Sequence, residues 1–277
     1  MNKYFAGKTV WIVGASSGIG EAVALAFAKG GSDLILSSRR ESELERVGKS
    51  CETLGAFCLV LPFDVSDPDE IAGACRSLLE GRKKTIDILV LNSGISQRAP
   101  ALDTALDVDR RIMEVNYFGL IDIAKRVTGH MLMKGTARDK KWFSPRGHIV
   151  VTSSLSGAFG MPNRSAYAAS KHALNGFFES LRAEYGRHGL NVTILMPGSI
   201  RTGISRSALL GDGAAYGRPD ERLERGMPPE KAAGMILKAV RQRRKEAVIA
   251  GPEGLLFFIR RFFPSLFYRL AEKAKDK

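Results

Sequence analysis

The residues of this sequence best suited to acid–base chemistry are Tyr167 and Lys171, which stand four positions apart. On a helix this spacing places both side chains on one face, and the apolar periodicity of residues 172–184 predicts a helix there. A tyrosine ionises at a pKa of about 10, and a nearby ammonium favours the phenolate. We therefore expect Lys171 to lower the pKa of Tyr167, which could then exchange protons near neutral pH. The alternative is a tyrosine packed on a helix beside a solvated lysine.

A second group of residues, near the start of the chain, is suited to binding phosphate. Residues 8–13 have the apolar, β-branched pattern of a buried strand, and residues 21–29 have that of a helix. Gly14, Gly18 and Gly20 lie between them in a Gly-x-x-x-Gly-x-Gly pattern. Glycines let a backbone turn tightly and approach a pyrophosphate, and the free N–H groups of a helix start attract anions. This stretch predicts a dinucleotide-binding turn.

Seven short motifs together resemble the short-chain dehydrogenase/reductase family over residues 5–250. In chain order they are Gly14-x-x-x-Gly18-Ile-Gly20, Asp64-Val65, Asn92-x-Gly94, Asn116, Ser154, Tyr167-x-x-x-Lys171 and Pro197-Gly198-x-Ile200-x-Thr202. Two departures, Val13 for a frequent Thr and Ser93 for a usual Ala, remove no group that the chemistry requires. Within the family, the residues around Tyr167 and the aromatic end of the chain are most similar to membrane-associated members that handle lipids or steroids.

The resemblance implies four catalytic residues, Asn116, Ser154, Tyr167 and Lys171. Tyr167 would give a proton to a carbonyl oxygen while Ser154 donates a hydrogen bond to the same oxygen. Lys171 would keep the tyrosine pKa low and hold the nicotinamide ribose, and Asn116 would hold a water beside Lys171. The implied activity is reversible hydride transfer between a nicotinamide cofactor and a carbonyl/alcohol pair, with a lipophilic small molecule as substrate.

The implied cofactor-binding residues extend along most of the chain. They are Gly14, Ser16, Ser17, Gly18, Ile19, Gly20, Arg39, Asp64, Val65, Asn92, Gly94, Tyr167, Lys171, Pro197, Gly198, Ile200 and Thr202. Asp64 would accept from the adenine amino group, although Asp64 and Val65 could also serve only a turn before the helix at Pro68.

The end of the second predicted strand indicates which cofactor is preferred. Relatives that prefer NAD(H) carry an acidic residue there, whereas this chain has Ser38 followed by Arg39. An acid repels a 2′-phosphate and a guanidinium pairs with it, so we expect NADP(H) to be preferred over NAD(H). A solvated turn at Arg39 and Arg40 is the alternative.

The pattern of strands and helices predicts an α/β fold with a doubly wound parallel sheet of the Rossmann type. Strands are expected at 8–13, 33–38, 57–61, 87–91, 147–152, 190–197 and 246–250, and helices at 21–29, 41–54, from Pro68, at 103–133, from Tyr167 and at 228–240. One catalytic domain would cover residues 1–250. Residues 199–229 leave a strand on the cofactor side and are irregular from Gly203 onward, which predicts a substrate lid.

Residues 251–277 form an aromatic, basic segment, called the tail below. Pro264 should divide the tail into two short helices. Apolar residues recur at helical spacing and cations accompany them, which is typical of an interfacial membrane anchor. The alternative is that this face packs on the domain or on a partner subunit. The apolar residues are Leu255, Ile259, Phe262, Leu266 and Leu270, with Leu256, Phe263 and Phe267 beside them.

Residues 134–146 are longer and more basic than a connection between two elements requires. They enter the following strand at its amino end, so we expect Trp142 and Phe143 to face away from the active site. They would form a surface loop or, as the alternative, a contact with a partner or a membrane.

The composition narrows the classes of partner. The chain has 277 residues and a formal net charge of +13, with Lys and Arg spread along it. No basic stripe carries interleaved aromatics, so an anionic cofactor and an anionic membrane surface are favoured over nucleic acid. Three cysteines without pairing spacing predict reduced thiols, and four histidines without ligand spacing predict no metal site.

The expected location and assembly follow from the same features. A first strand that begins almost at once predicts no signal peptide, and no apolar run has spanning length. We expect a cytoplasmic protein, peripheral to the inner face of a membrane if the tail is an anchor. The resemblance implies a homo-oligomer, dimer or tetramer, through the helices that hold Asn116 and Tyr167. A non-catalytic NADP(H)-binding scaffold or sensor is the rival interpretation, although such proteins usually lose the Tyr, Lys or Ser.

Overall fold

A seven-stranded sheet, parallel throughout, forms the centre of the computed structural model, which describes residues 4–80, 85–133 and 146–273. The strands lie in the order β3-β2-β1-β4-β5-β6-β7. They are β1 Thr9–Val13, β2 Asp33–Ser37, β3 Cys58–Val60, β4 Ile88–Leu91, β5 Gly147–Thr152, β6 Leu190–Pro197 and β7 Glu246–Ile249. The inner strands are almost entirely buried, which explains why their sequences are continuous apolar runs.

Helices cover both faces of the sheet. They are α1 Gly18–Lys29, α2 Glu41–Glu52, α3 Pro68–Leu79, α4 Leu106–Met113, α5 Gly119–Met133, α6 Ser165–Tyr185, α7 Glu221–Glu224, α8 Pro229–Arg241, α9 Leu255–Phe262 and α10 Pro264–Glu272. α1, α2 and α8 build one core, around Phe27 and Ile236. α3, α5 and α6 build the other, around Ile123 and Phe178. This arrangement confirms the predicted doubly wound architecture.

The direction of chain progression reverses at β1, which pairs with β2 on one side and β4 on the other. In open α/β sheets a ligand binds in the crevice outside the carboxyl ends of the strands at such a switch point. The segments after β1, β4, β5 and β6 all reach this edge, and they contain the predicted motifs.

The single helix expected over residues 103–133 is not continuous. A 3₁₀ turn at Ala101–Asp103 precedes α4, and a π-helical turn, Glu114–Phe118, separates α4 from α5. Apolar periodicity continues through the interruption, and so the sequence pattern could not reveal it. Gly119 follows the π turn and contacts the carbonyl of Val65 so closely that a side chain would not fit.

The lid region is more ordered than its irregular sequence suggested. Leu209 forms isolated bridges with Gln97 and with Ala215, and Ile200 forms one with Met227. The short α7 also lies within it. These bridges hold the segment in place although its sequence has no helical or strand periodicity, so the sequence pattern predicted no element here.

The tail forms two helices that meet at Pro264, as predicted, but its apolar residues divide between two environments. Phe267 is buried, and Leu256 and Ile259 pack against the domain. Leu255, Phe262, Leu266 and Leu270 are exposed. Packing on the domain and an exposed apolar face therefore coexist. No helix of the described residues is long and apolar enough to cross a membrane.

The long connection expected at residues 134–146 lies outside the described residues except for its last one. Arg146 donates its backbone N–H to the carbonyl of Gly189 and its guanidinium to the carbonyl of Leu132. Trp142 and Phe143, for which an orientation was predicted, also lie outside the described residues.

Candidate active site

A cavity of about 1470 Å³ opens at the carboxyl edge of the sheet. The predicted site residues line it, with the exception of Gly20 and Asn116. Gly20 lies beneath the wall, where a Cβ would collide with the carbonyl of Gly14. Its role is to let α1 approach the turn after β1. Asn116 is fully buried behind the wall.

The glycine-rich turn is built for close backbone approach. Gly14 has φ +90°, and a Cβ there would lie 2.6 Å from the backbone nitrogen of Ser93. Gly18 has φ +61°, and a Cβ there would lie 2.9 Å from Cγ2 of Thr202. Asn92 ties the two strand ends together by donating to the carbonyl of Gly14 at 3.1 Å.

This cradle fits the pyrophosphate of a dinucleotide. α1 begins at Gly18, and Ser17 before it makes no side-chain capping hydrogen bond. The N–H groups of the first turn of a helix are suited to an anion. The glycines leave room for it.

Two arginines that follow β2 line the cavity. Arg39 pairs with Asp64 at 3.5 Å, and its side chain is mostly exposed. Arg40, to which the sequence assigned no separate role, donates to the hydroxyls of Ser16 and Ser17 at 3.1 and 3.0 Å. The sequence identified the basic pair but not which member would reach the glycine-rich turn, because backbone direction after β2 decides it.

Asp64 is held in place by its own neighbours. Burial opposes its ionisation, but hydrogen bonds from the backbone and hydroxyl of Ser66 and the charge of Arg39 outweigh this, and the pKa of Asp64 lies below its ordinary value. The predicted contacts of Asp64 and Val65 with adenine stay a prediction, although both residues line the cavity.

Tyr167 and Lys171 share one face of α6, as their spacing predicts. The ammonium of Lys171 lies 5.7 Å from the centroid of the Tyr167 ring. It donates to the carbonyl of Thr152, the last residue of β5, at 2.8 Å. The lysine is therefore fixed between α6 and the end of β5.

The expected effect of Lys171 on the tyrosine is wrong for the pair as it stands in this structure. Burial raises the pKa of Tyr167, and the groups that oppose this rise are the Ser154 hydroxyl and the charge of Arg164. Burial also lowers the pKa of Lys171 to about 8. Loss of contact with water favours the neutral form of both groups.

Ser154 stands next to the phenol at the cavity wall. Its hydroxyl hydrogen-bonds with Tyr167 and also accepts from the backbone N–H of Ser156 at 3.1 Å. Two hydroxyls therefore converge on one spot beside the end of β5. This is the geometry required to bind and protonate a single oxygen atom.

The side chain of Asn116 holds the backbone of Ile95 by two hydrogen bonds. Its amide oxygen accepts from the N–H of Ile95 at 2.8 Å, and its amide nitrogen donates to the carbonyl of Ile95 at 2.9 Å. It also donates to the hydroxyl of Ser170 on α6 at 3.0 Å. A Cβ at position 94 would lie 3.1 Å from the amide oxygen of Asn116 and 3.4 Å from Nζ of Lys171. A glycine at this position avoids that crowding.

The cavity wall also contains a charged cluster that the sequence did not indicate. Asp220 of the lid pairs with Arg98, and with Arg164 at 3.5 Å. Arg164 also donates to the Ser96 hydroxyl at 3.0 Å. These residues come from three irregular segments without periodicity, and no local signal could have brought them together.

The tail contributes two further residues to the wall. Glu253 accepts from the backbone N–H of Ser199 at 2.8 Å, and Leu256 lines the cavity. Both were assigned to an appendage, because the sequence does not show that α9 folds back over the loop after β6.

Other reactive side chains are structural. Among the described residues, no cluster of His, Cys, Asp and Glu could hold a metal ion, and Cys51, Cys58 and Cys75 are free thiols. Burial lowers the pKa of His148 to about 4, and its ring hydrogen-bonds with Thr193 at 2.8 Å inside the sheet.

Comparison with known proteins agrees with this geometry. A family model described as short chain dehydrogenase matches residues 8–211. Among similar proteins, a dehydrogenase/reductase SDR family protein 7-like of Anopheles gambiae is 41% identical over 282 residues, which is 99% of this chain and 85% of the relative. A dehydrogenase/reductase SDR family member 7B of Bos taurus is 38% identical over 286 residues, covering 100% of this chain and 84% of the relative.

Solved structures share the fold. A short chain dehydrogenase/reductase from Burkholderia phymatum, solved in complex with NAD, has a TM-score of 0.81 over 96% of both chains at 22% identity. A putative NAD(P) dependent gluconate 5-dehydrogenase from Beutenbergia cavernae, with bound NADP, has a TM-score of 0.75 at 26% identity, over 90% of this chain and 98% of its own. The motifs, the cradle and the Ser154–Tyr167–Lys171 group are explained together, because the chain belongs to the short-chain dehydrogenase/reductase family of NAD(P)-dependent oxidoreductases.

Proposed function

We propose that this protein transfers hydride reversibly between NADP(H) and a carbonyl/secondary alcohol pair, with Tyr167 as the acid and base. The observation that carries the proposal is the meeting of Tyr167, Ser154 and Lys171 at one end of a cavity whose other end is the glycine cradle. A non-catalytic scaffold does not need a tyrosine and a serine hydroxyl that converge beside the lysine, so the rival interpretation has less support.

The residues of this chain divide the work of reduction among them. A bound reduced nicotinamide supplies hydride to the carbonyl carbon. Tyr167 donates its Oη proton to the carbonyl oxygen, and the Ser154 hydroxyl orients that oxygen and stabilises the charge on it. Lys171 stabilises the phenolate that remains and holds the nicotinamide ribose, and Asn116 holds a water that returns the proton. In the reverse direction the phenolate accepts the alcohol proton.

A preference for NADP(H) is supported by the basic adenosine end of the cavity. Ser38 replaces the acidic residue that would repel a 2′-phosphate, and Arg39 and Arg40 both line the cavity there. Arg40 already donates to Ser16 and Ser17 of the glycine-rich turn. A 2′-phosphate between the two guanidinium groups would form charge-assisted hydrogen bonds.

The tail supports the further proposal that the protein docks on an anionic membrane and takes a lipophilic substrate. We define the tail face as the exposed side chains of α9 and α10. They are Leu255, Phe258, Phe262, Phe263, Leu266, Tyr268 and Leu270, each at least 44% exposed. Arg260, Arg261, Arg269 and Lys273 accompany them in the sequence. Apolar bulk with cations matches an interface of acyl chains and anionic headgroups.

The tail lies next to the cavity, so membrane docking would affect how a substrate reaches it. Leu256 of α9 lines the cavity, and Phe267 of α10 packs on Phe159, another cavity residue, with ring centroids 4.8 Å apart. A docked tail would therefore hold the cavity mouth near the bilayer. A lipophilic carbonyl compound could then enter without first dissolving in water.

A homo-oligomer is proposed from the family resemblance and from apolar exposure on the helices concerned. Leu106 on α4, Phe118 in the π turn and Met133 on α5 are each about half exposed or more. Pairing of these helices between two copies would cover them. Light scattering after size-exclusion chromatography measures the mass directly.

The substitution Tyr167→Phe tests the proposed chemistry. It keeps the ring and removes the transferable proton, so turnover should fall by about 10² to 10⁴ while NADPH binding stays within about threefold. Aliphatic, aromatic and steroid ketones would be screened with the wild type by loss of nicotinamide absorbance, and the variant would be measured on the best of them. Turnover near the wild-type rate would remove Tyr167 as the acid.

A further inference from the structure

Gln97 is a buried polar residue that the proposed chemistry does not use. Its side chain is fully buried, and it does not line the cavity although Ser96 and Arg98 on either side do. It follows β4 by six positions and lies 70 positions before Tyr167 in the sequence. A buried amide must satisfy both its donor and its acceptor groups, and the partners of Gln97 show what it holds.

The amide oxygen of Gln97 completes the start of the catalytic helix. It accepts from the backbone N–H of Ala166 at 2.8 Å. The residue before α6, Arg164, makes no side-chain capping bond, so a residue from a distant segment takes the place of an ordinary N-cap. Ala166 is the immediate neighbour of Tyr167.

The amide nitrogen of Gln97 fixes the orientation of this cap. It donates to the hydroxyl of Thr104 and to the carbonyl of Ala99 at 3.3 Å, while the hydroxyl of Ser165 lies within 3.5 Å of both amide atoms. These partners define which end of the amide is the acceptor. The first turn of α6 is thereby tied to the segment after β4.

The backbone around Gln97 is tied to the lid at the same point. Gln97 forms a parallel bridge with Leu209, in which Ser96 accepts from the Leu209 N–H at 2.9 Å and Arg98 donates to its carbonyl at 2.8 Å. The residues on either side of Gln97 thus bond to the lid through their backbones, while Gln97 itself bonds to α6 through its side chain.

We propose that Gln97 is a positioning residue that fixes the first turn of α6, and with it the Tyr167 phenol, relative to Ser154 and the lid. This inference rests on the proposed role of Tyr167. It does not make Gln97 catalytic, because its side chain touches neither the cavity nor a reacting atom. Tyr167 must protonate an oxygen that Ser154 also binds, so a displacement of the helix start by a fraction of a hydrogen-bond length matters.

The substitution Gln97→Met tests the proposal, because it keeps the side-chain length and removes both hydrogen-bonding groups. On the best ketone of the screen, kcat should fall about tenfold to a hundredfold while KM for NADPH changes less than about threefold. Gln97→Glu keeps an acceptor for the Ala166 N–H but loses the donor to Ala99 and Thr104, so its kcat should lie between those of Gln97→Met and the wild type. Ser32→Ala is the matched control, since it removes a buried hydroxyl bonded to the carbonyl of Phe5, outside the cavity.

Two readouts separate positioning from a general loss of stability. Displacement from Ser154 removes a hydrogen bond that lowers the tyrosine pKa, so the acidic limb of alcohol oxidation should move to higher pH in Gln97→Met. Amide hydrogen exchange of the Ala166–Tyr167 peptide should become faster in that variant. Neither quantity should change in Ser32→Ala, which loses stability only.

Several outcomes would overturn the proposal. One is a kcat of Gln97→Met within about twofold of the wild type; another is an equal loss in Gln97→Glu and Gln97→Met, because the acceptor would then be irrelevant. If Gln97→Met does not fold, Thr104→Val removes one partner of the amide at a partly exposed site, and unchanged exchange at Ala166 would overturn the proposal. An active Tyr167→Phe would instead refute the proposed function itself, so the two failures are distinguishable.

Discussion

Arg39 and Arg40 differ in what they contact, although both line the cavity and both would bind the 2′-phosphate of NADPH under the proposed function. Arg40 bonds to two serines of the glycine-rich turn, whereas Arg39 pairs with Asp64. Only NADPH carries a 2′-phosphate for them to bind. A charge-assisted hydrogen bond contributes roughly 1.5–3 kcal/mol, which corresponds to about tenfold to a hundredfold in affinity.

We therefore expect Arg39→Ala and Arg40→Ala each to weaken NADPH about tenfold or more and NADH by less than about threefold. Dissociation constants from quenching of protein fluorescence measure both. Arg46→Ala is the matched control, because Arg46 lies on α2, pairs with Glu21 at 2.7 Å and does not line the cavity. Equal weakening of NADPH and NADH would show that neither arginine binds the 2′-phosphate.

At the residue scale, the sequence was informative where function depends on local spacing. Tyr167 and Lys171 share a helix, and Gly14 and Gly18 share a turn, so their relative positions follow from a few bonds. Gln97 contacts Ala166 across 69 positions, and no spacing rule covers that distance. The sign of the tyrosine pKa shift was also missed, because burial is a property of the folded chain.

The side chains of the tail helices α9 and α10 lie in two different environments. Phe267 faces the domain and is 2% exposed, whereas Phe262 and Phe263 face outward at 65% and 64%. Removing the entire tail would strip Leu256 and Glu253 from the cavity wall as well. Substitutions on the tail face are therefore the sharper test of membrane docking.

We expect the full chain to sediment with vesicles that contain phosphatidylserine, and less so as salt screens the basic residues. The double variant Phe262→Ser, Phe263→Ser should bind about tenfold more weakly and keep its affinity for NADPH. Phe57→Ser is the control, since Phe57 is a 58% exposed aromatic that precedes β3 at the opposite edge of the sheet. Equal sedimentation of both variants and the wild type would leave the tail as a packing element alone.

Prediction of elements succeeded where burial is uniform along the segment. The buried strands were placed within a residue or two, because apolar runs between glycines have few other interpretations. The π turn around Asn116 was missed, since apolar residues recur at helical spacing both before and after it. The division of the tail's apolar residues between a packed and an exposed face was not predicted. Helical spacing shows which residues share a face but not what covers that face.

Stability of the whole molecule should depend on His148, which is buried between β5 and β6. Burial, assisted by the charges of Arg243 and Lys8, lowers its pKa from 6.5 to about 4. In this range the unfolded chain binds a proton that the folded chain does not bind. The folded state therefore loses stability as the pH falls from 6.5 towards 4.

Urea unfolding at pH 7 and pH 5 measures this dependence. We expect His148→Gln to reduce the loss of unfolding free energy between the two pH values by about 2 kcal/mol relative to the wild type. His188→Gln, at an exposed position, should leave the dependence unchanged. An unchanged dependence in His148→Gln would show that the imidazole is protonated in the folded protein.

The sheet order explains why the molecule as a whole could be predicted from its sequence while the assembled cavity could not. Alternating strands and helices with parallel crossovers allow few arrangements, and the switch point follows from them. The cavity depends on side chains from residue 14 to residue 256, and contacts such as Asp220 with Arg98 form only once the whole chain is folded.

The position of Glu253 and Leu256 in the cavity wall has a consequence for biosynthesis. A growing polypeptide leaves the ribosome amino end first, and domains fold in that order. β1 to β6, the glycine cradle and Tyr167 can all emerge while these two residues are still untranslated. The nascent chain could thus acquire its fold before its active site has a complete wall, and the bond from Ser199 to Glu253 would be among the last to form.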